Sequence, residues 1–338
     1  MVRGAAACYT PAMVETRADI LIVGAGIAGA ATAYHLQRSG RFSVLIVEKE
    51  ETAGGHSTGR NAALIREHVE NPRLQELTTE SAEFLRTGEL ASYDRSGLIA
   101  LGLGDEDLSK YVPICQGKGL WYPKDGVLDV SGLLQSYLAG QEVRYRTEVT
   151  AWRHVGRELH VSTNRGEIVC DVLVNAAGPW AGRLGNLPLT PKNRHIFVTA
   201  PLDWVDQRWP FVWDALNEYY FRPESGGLLL CPCDETPAEP GAYTEDPARL
   251  EELADKIMTH QPGLGDLPIM RSWVGQRTFA QDDDFVIGFD PRDEHVFHVA
   301  ALGGHGITAS YAVGRLAAEL IADPAADRTN PFSPKRML

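Results

Sequence analysis

A glycine-rich segment near the beginning of the chain has the spacing of a nucleotide-binding turn. It is a GxGxxG pattern formed by Gly24, Gly26 and Gly29. In such a turn the first glycine allows a tight bend, the second lets the backbone approach a pyrophosphate, and the third lets a helix pack on a strand. A carboxylate, Glu48, follows 19 residues after Gly29. It can accept hydrogen bonds from both hydroxyls of a ribose and would repel a 2′-phosphate, which argues against NADP.

Three later segments are also rich in glycine and other small residues. HSTGRNAA at 56–63 has the composition of a loop that enters a helix beside a ligand. VLVNAAGPW at 172–180 predicts a buried strand that ends in a turn of small residues, and LGGHGIT at 302–308 places three glycines at the beginning of the last predicted helix. Three further glycine-rich segments at the same sheet indicate that the ligand is larger than NAD.

The elements around the first motif predict a βαβ unit. Ala18–Val23 is a short apolar run, typical of a buried parallel strand. Ile27–Ser39 predicts a helix that Gly40 ends as a C-cap, and Ser43–Glu48 predicts a second buried strand. This unit would open a doubly wound sheet.

The rest of the chain predicts a second, different sheet. Residues 143–175 are expected to form several short strands, whereas residues 186–280 have the alternating patterns of an antiparallel lobe. Further helices are predicted at Asn71–Leu85, Val130–Leu138, Pro247–His260 and about Gly306–Ile321. The predicted fold class is therefore α/β: a doubly wound, Rossmann-like domain with a second, mostly antiparallel β-sheet domain for the substrate.

Composition and charge narrow the class of protein. The 338 residues are 44% hydrophobic and 23% charged, as in soluble globular proteins. The formal net charge of -13 repels nucleic acid and anionic lipid. No apolar run is long enough to predict a transmembrane segment, and residues 1–17 lack a signal-peptide pattern, so they are expected to be a flexible leader.

The five cysteines form no even, spaced framework, which fits a reducing cytoplasm. Cys231-Pro-Cys233 could indicate metal or redox chemistry. The second ligand pair of a zinc site is missing, so the segment is interpreted as part of a strand and no metal is predicted.

The motifs together resemble those of the FAD-dependent D-amino acid oxidase superfamily. GAGIAGA, HSTGRNAA, VLVNAAGPW, VGQRTF (274–279) and GGHGITAS (303–310) follow one another in the family order across residues 18–321, and they are most similar to those of the bacterial D-arginine dehydrogenases. The resemblance implies a discontinuous FAD-binding domain at 18–85, 120–185 and 281–330, and a substrate domain at 86–119 and 186–280.

The same resemblance implies FAD bound in extended form. Glu48 would hold the adenosine ribose, Val149 would lie beside the adenine, and the last helix would point its N-terminus at the flavin. Some relatives attach flavin through a histidine near His56, but non-covalent FAD is expected. The expected cofactor-binding residues are Gly24, Gly26, Ile27, Ala28, Gly29, Glu48, Lys49, His56, Ser57, Thr58, Arg60, Asn61, Ala62, Val149, Ala177, Gly178, Trp180, Gly303, Gly304, His305, Gly306, Ile307 and Thr308.

The family reaction implies hydride transfer to flavin N5 from the carbon that bears the amine of a D-amino acid or small secondary amine. The resulting imine hydrolyses to a keto acid. By position, Arg277 corresponds to the carboxylate-binding arginine, with Tyr220 and Arg194 in support. His305 lies near the flavin, where a histidine can titrate near neutral pH but more often only fills space.

Two alternatives remain open. The same arginine and tyrosine serve any α-substituted carboxylate, so an FAD-dependent 2-hydroxy acid oxidoreductase of this fold is one of them, and a non-catalytic flavoprotein is the other. The motifs do not distinguish oxygen, a quinone or another compound as electron acceptor.

The chain departs from the D-arginine dehydrogenases where these bind the substrate side chain. The carboxylate that holds the cationic group aligns near Gly97, where this chain has no acid, and two further pocket positions fall near Leu64 and Val69. An uncompensated cation in a dry pocket costs several kcal/mol. A smaller or apolar substrate is therefore expected, unless another acid replaces the missing one, the candidates being Glu67, Glu70 and Glu83.

Overall fold

The computed structural model describes residues 16–337. The helices are α1 (Ile27–Ser39), α2 (Pro72–Leu85), α3 (Val130–Leu138), α4 (Ala181–Gly185), α5 (Pro247–His260) and α6 (Ser310–Ala322). The strands are β1 (Thr16–Val23), β2 (Val44–Val47), β3 (Leu64–Ile65), β4 (Tyr93–Asp94), β5 (Leu98–Asp107), β6 (Lys118–Tyr122), β7 (Gly126–Leu128), β8 (Glu142–Arg144), β9 (Val149–Val155), β10 (Glu158–Thr163), β11 (Gly166–Asn175), β12 (Thr190–Thr199), β13 (Phe211–Asp214), β14 (Tyr219–Glu224), β15 (Gly227–Cys231), β16 (Thr236–Pro237), β17 (Ile269–Phe279), β18 (Val286–Asp290) and β19 (Asp293–Ala300).

The first sheet is built around parallel strands. Its order is β18-β19-β11-β1-β2-β8, and the hairpin β9–β10 joins it at β11. β1 pairs in parallel with both β11 and β2, and β8 and β19 continue the parallel arrangement on either side. Since parallel strands end at one edge of a sheet, the segments after β1, β2 and β11 meet there. That edge carries the GxGxxG turn, Glu48 and residues 176–180.

Small residues let helix α1 lie close to its neighbours. Ala30, Ala31 and Ala33 are fully buried, and a Cβ on Gly314 of α6 would lie 2.5 Å from the carbonyl oxygen of Ala31. The helix ends at Gly40, whose φ of 64° is the left-handed conformation that favours glycine. Close packing of α1 and α6 brings the beginnings of both helices to the same end of the sheet.

The second sheet is mostly antiparallel and has two different faces. Its order is β16-β12-β15-β14-β13-β5-β6, with β17 paired to β12 and with one parallel pair, β5 and β13. One face packs on helix α5 in an apolar core that includes Phe197, Tyr219, Phe221, Leu228, Leu230, Leu253 and Ile257. Because side chains alternate along a strand, the residues between these point to the opposite face. The remaining strands form a small third sheet, β3-β7-β4.

Most of the predicted architecture is confirmed. The α/β class, the βαβ unit and the bounds of α3 and α5 agree with the prediction. The predicted domain boundaries stay a prediction, although β6, which spans the expected boundary at residue 120, belongs to the second sheet. No helix in the described part of the chain is both long enough and apolar enough to cross a membrane.

Three local predictions are wrong. The last helix begins at Ser310 instead of Gly306, because residues 303–309 form turns in which Gly303 has a φ of 50°. HSTGRNAA leads into strand β3 and not into a helix. The leader does not extend to residue 17, because Thr16 already pairs with Ile168 in the first sheet, and the rest of the predicted leader, residues 1–15, lies outside the described residues.

Candidate functional site

The turn between β1 and α1 leaves backbone surface open at the edge of the sheet. Gly24 has a φ of 108°, and a Cβ there would lie 2.5 Å from the carbonyl oxygen of Ala176, so the position requires glycine. The N–H of Ile27 donates to Thr58 Oγ1 at 3.0 Å. Within residues 16–337 the N–H of Ala28 has no acceptor. A free N–H in the first turn of a helix is a donor for an anion such as a phosphate.

Glu48 is held rigidly where β2 ends. The residue is 8% exposed, and its carboxylate accepts hydrogen bonds from the N–H of Ala25 at 2.9 Å and of Glu50 at 3.0 Å. Each carboxylate oxygen has lone pairs left after these bonds. The side chain can therefore accept the two hydroxyls of a ribose without losing its place in the fold.

A cavity of about 300 Å³ opens beside Glu48. One wall is cationic, since the Lys49 ammonium lies 3.3 Å from the centroid of the Trp180 ring. Predicted cofactor-binding residues that line this cavity are Gly24, Gly26, Glu48, Lys49, His56, Ser57, Thr58, Val149, Ala177, Gly178 and Trp180. Its size and its buried carboxylate fit a nucleoside.

Both ring nitrogens of His56 are engaged by neighbouring side chains. Nδ1 lies 2.7 Å from the Tyr243 hydroxyl, and Nε2 lies 2.9 Å from Glu50 Oε1. The hydrogen bond from His56 lowers the pKa of Glu50. The His56 ring also packs 4.5 Å from that of Trp180. No ring nitrogen is left free to carry a covalent bond to a cofactor.

The segment after His56 ties the two sheets together. Ser57 Oγ donates to the carbonyl oxygen of Gln276 in β17 at 2.7 Å. The Arg60 guanidinium lies 4.3 Å from the centroid of the Tyr243 ring, and the Asn61 side chain bonds to the backbone of its own turn. The position of this segment is therefore fixed relative to β17.

A larger cleft of about 810 Å³ continues from the small cavity. The residues that line both are Gly26, Ser57, Thr58, Ala176 and Gly178. Further predicted residues that line the cleft are Ile27, Ala28, Arg60, Asn61, Ala62, Arg194, Tyr220, Arg277, Gly303, Gly304, His305, Gly306, Ile307 and Thr308. The two spaces form one extended site, as a cofactor in extended form requires.

Backbone donors are concentrated in the turn before α6. The N–H groups of Gly306, Ile307 and Thr308 have no acceptor among the described residues. Two of the first three N–H groups of the helix are satisfied, that of Ser310 by the carbonyl of Ile307 and that of Ala312 by a serine hydroxyl. Most of the donors that could stabilise negative charge on a bound group therefore lie in the turn, ahead of the helix itself.

The register of the second sheet places the predicted substrate-binding arginines on one face. β17 and β12 pair so that Arg277 lies opposite Lys192 and Gly275 lies opposite Arg194. Opposed residues share a face, and so do residues two apart along a strand. Arg194 and Arg277 are therefore diagonal neighbours on the face that lines the cleft.

Tyr220 lies on the same face, two strands away. Leu229 of β15 pairs with Val198 of β12 on one side and with Arg222 of β14 on the other. Val198 is four residues from Arg194 along β12, and Arg222 is two residues from Tyr220 along β14, so the side chains in each pair point to the same face. The face opposite the α5 core thus gathers all three predicted side chains at the cleft.

Arg277 is the uncompensated cation of this face. Its guanidinium has no hydrogen-bond or ion-pair partner within residues 16–337. Burial, and then the charge of Arg194, lowers the pKa of Arg277. A Cβ on Gly304 would lie 2.8 Å from Arg277 Cζ, so the guanidinium rests against the turn before α6. A half-buried guanidinium in this position can be satisfied by an anion.

The two supporting side chains have different roles in the geometry. Arg194 donates to Glu235 Oε1 at 2.8 Å, while its buried Nε has no partner among the described residues. Tyr220 is buried, and burial raises the pKa of its hydroxyl. It stays a neutral donor. Cys231 pairs with Tyr220 across the sheet and ends β15, so the strand interpretation of Cys231-Pro-Cys233 holds for Cys231 and not for the two residues that follow.

Sequence reasoning missed Arg66. It follows β3 and lines the cleft, where its guanidinium lies 4.1 Å from the centroid of the Trp213 ring and donates to His305 Nε2 at 3.0 Å. The available signal was a cation in the run LIREHVE, directly after HSTGRNAA. The acids considered for a cationic side chain are not free in the cleft: Glu67 pairs with Arg86, Glu70 pairs with Arg66, and Glu83 is exposed.

Of the two roles considered for His305, titration near neutral pH is the wrong one. Burial in the cleft, together with the charges of Arg66, Arg277 and Arg194, lowers its pKa to about 3. Because Arg66 donates to Nε2, the ring accepts at that nitrogen and is neutral. The ring therefore positions Arg66 and does not exchange protons at physiological pH.

One predicted cofactor-binding residue lines neither space. A Cβ on Gly29 would lie 2.1 Å from the carbonyl oxygen of Gly24, so its role is close packing of helix on strand. The remaining roles of the predicted residues stay predictions. No group of three or more histidine, cysteine or acidic side chains in residues 16–337 is placed to hold a metal ion.

Comparison with known proteins agrees with this geometry. A family model described as FAD dependent oxidoreductase (DAO) matches residues 19–111 and 95–320. The FAD-dependent oxidoreductase domain-containing protein 1 of Xenopus laevis is 24% identical over 91% of this chain and 79% of its own length. The glycine oxidase of Bacillus subtilis is 24% identical over 90% of this chain and 92% of its own. The solved structure of L-proline dehydrogenase from P. horikoshii matches with a TM-score of 0.85 at 22% identity, covering 96% of this chain and 98% of that one.

Proposed function

The chain belongs to the DAO family of FAD-dependent oxidoreductases, and from this premise we propose that it oxidises the C–N bond of an amino acid or a small secondary amine. FAD, when bound, supplies the two-electron acceptor. The product would be an imine that water hydrolyses to a keto acid. Among the similar proteins, the names glycine oxidase and L-proline dehydrogenase both denote enzymes of amino acids.

The observation that carries this proposal is the unpaired guanidinium of Arg277. A carboxylate matches its planar donors with two parallel hydrogen bonds, which would fix the substrate in orientation as well as in place. Tyr220 would donate a further bond, and Gly304 sets the distance between the guanidinium and the turn before α6. The α-carbon would thereby be held against the cofactor.

No side chain is assigned as general base. His305 accepts a hydrogen bond from Arg66 at Nε2, and Glu235 is bound to Arg194 and Lys192. An amine that arrives neutral needs no base for hydride removal. Positioning and exclusion of water would then be the main contributions of the protein.

The cofactor is proposed to be non-covalent. His56 has both ring nitrogens occupied and lies at the small cavity beside Glu48, away from the substrate-binding arginines. Acid or heat should therefore release FAD from the purified protein. A cytoplasmic location and a special closeness to the D-arginine dehydrogenases stay predictions.

Anaerobic mixing tests the proposal. The holoenzyme is mixed with D-amino acids, N-methyl amino acids and 2-hydroxy acids while flavin absorbance is followed. Bleaching by amines supports the proposal. Bleaching by 2-hydroxy acids alone supports the alternative of a 2-hydroxy acid oxidoreductase, which the same arginine face could serve. A flavin that neither class bleaches contradicts both.

A further inference from the structure

A second arginine faces the cleft without a matching acid. The side chain of Arg66 is 18% exposed. Its one ion pair within residues 16–337 joins NH2 to Glu70 Oε2 at 3.7 Å, and the Glu70 side chain is 67% exposed. An ion pair with so long an N–O distance, and with a carboxylate exposed to water, compensates little of the charge of the guanidinium. Burial accordingly lowers the pKa of Arg66.

The groups that hold Arg66 in place are neutral. Its guanidinium lies 4.1 Å from the centroid of the Trp213 ring, and NH2 donates to His305 Nε2 at 3.0 Å. A guanidinium has five N–H donors in a planar fork. The stacking and the single hydrogen bond orient this fork and leave donors for a ligand in the cleft.

Arg66 and Arg277 are held against consecutive residues of one turn. Arg277 Cζ lies 2.8 Å from the position that a Cβ on Gly304 would take, and Arg66 donates a hydrogen bond to the ring of His305. Consecutive Cα atoms are about 3.8 Å apart. The two guanidiniums therefore border the same short stretch of the cleft, and a small ligand can reach both.

The acids that line the cleft do not neutralise these two arginines. Asp234 accepts hydrogen bonds from the backbone N–H and the ring of His195. Glu235 pairs with Lys192 and Arg194, and Glu252 pairs with Arg249 and Lys256. Glu218, the remaining acid, is exposed at the rim. The interior of the cleft has an excess of positive charge.

We propose that Arg66 is a second anion-binding site and that the substrate is an amino acid or secondary amine with two carboxylates, one bound by Arg277 and the other by Arg66. This inference rests on the proposed function for its reaction, but the anion site itself rests on the contacts of Arg66. The proposed substrate therefore has a small anionic side chain, whereas the sequence led us to expect a small or apolar one. A monocarboxylate would leave one buried cation uncompensated.

A binding experiment on the holoenzyme tests the site without turnover. Malonate and succinate, with acetate and propionate as monocarboxylate controls, are titrated while the absorbance of the oxidised flavin is followed. The dicarboxylates should bind about 10- to 150-fold more tightly, as expected for one further charged pair.

Variants separate a binding role of Arg66 from a structural one. Arg66→Gln keeps a donor for His305 and removes the charge, so it should abolish the preference for dicarboxylates while changing the affinity for acetate less than about 3-fold. Arg271→Gln is the matched control, because that side chain is 50% exposed and lies outside the cleft. It should keep the preference.

Three results would overturn the inference: equal affinity for both classes of acid in the unmodified enzyme, an unchanged preference in Arg66→Gln, or an equal loss of both classes in that variant. Anaerobic reduction by D-aspartate, D-glutamate and iminodiacetate is compared with that by D-alanine, glycine and sarcosine. If no amine reduces the flavin, the proposed function fails, and the titrations still decide the anion site. If amines react but dicarboxylates neither bind nor react better, the inference alone fails.

Discussion

Replacing Arg277 by lysine isolates the geometry of the proposed carboxylate clamp from its charge. Lysine keeps one positive charge but replaces the planar fork by a single ammonium. Arg277 has no hydrogen-bond or ion-pair partner within residues 16–337, so the substitution breaks no polar contact of the protein that would complicate the result. The loss would appear only when the substrate is bound.

The magnitude follows from the hydrogen bonds that lysine cannot make. Hydrogen bonds to charged groups contribute about 1.5–3 kcal/mol each, and about 1.4 kcal/mol corresponds to a factor of ten. One lost bond of the pair should lower kcat/KM by about 10- to 150-fold. Both parameters should change, because a carboxylate held by one bond can rotate and move the α-carbon away from the cofactor.

Steady-state kinetics and anaerobic reduction of the flavin measure this effect. Arg271→Lys is the control, since it makes the same change on the same strand at a side chain that is 50% exposed. The ratio of flavin to protein absorbance shows whether FAD is retained. Near-normal kcat/KM in Arg277→Lys would refute the clamp, and loss of FAD would assign Arg277 to the cofactor site or the fold.

Four further predictions follow from the site. Glu48→Lys should weaken FAD binding, measured by FAD titration of the apoprotein, because it removes charge-assisted bonds to the ribose worth about 1.5–3 kcal/mol; unchanged affinity would argue against that role. Gly304→Ala should lower kcat/KM at least about 10-fold with FAD retained, since its Cβ would displace the Arg277 guanidinium, 2.8 Å away. D-arginine and D-lysine should be poorer substrates than small D-amino acids, because their cations meet an already cationic cleft; a clear preference for D-arginine in steady-state assays would contradict this. Burial, together with the charges of Arg315 and Arg38, lowers the pKa of His35 from 6.5 to about 4. As the pH drops through that range the unfolded state takes up a proton before the folded state does, so the free energy of unfolding falls. The His35→Gln variant should therefore show a smaller decrease in melting temperature between these pH values than the unmodified protein.

The nucleotide half of the site could be predicted from sequence because backbone requirements determine it. Gly24 needs a positive φ and Gly29 a close approach, and neither need depends on distant parts of the chain. Helix α5 was predicted at its observed bounds for a similar reason, since Asp246 caps it and Pro247 begins it. The beginning of α6 was not predicted, because glycine and histidine fit a turn and a first helical turn alike.

The substrate half of the site depends on tertiary structure. The role of Arg66 is set by its contacts with Trp213 and His305, which are distant in sequence and reach it from the second sheet and from the turn before α6. The sequence around Arg66 predicts only that it is a polar residue after a short strand. Likewise, the pKa of His305 depends on three arginines that the sequence does not show to be close.

Strand β17 joins the two halves into one mechanical unit. Ser57 donates to the carbonyl oxygen of Gln276, and a Cβ on Gly275 would lie 2.3 Å from the carbonyl oxygen of Arg60, so the segment after His56 is packed directly on this strand. Arg277 is the next residue along it, and its guanidinium rests on Gly304 of the second cofactor-side turn. Any displacement of β17 would therefore move the proposed carboxylate clamp and the predicted cofactor-binding segments together. This arrangement would preserve the distance between the proposed substrate and FAD, on which the proposed hydride transfer would depend most steeply.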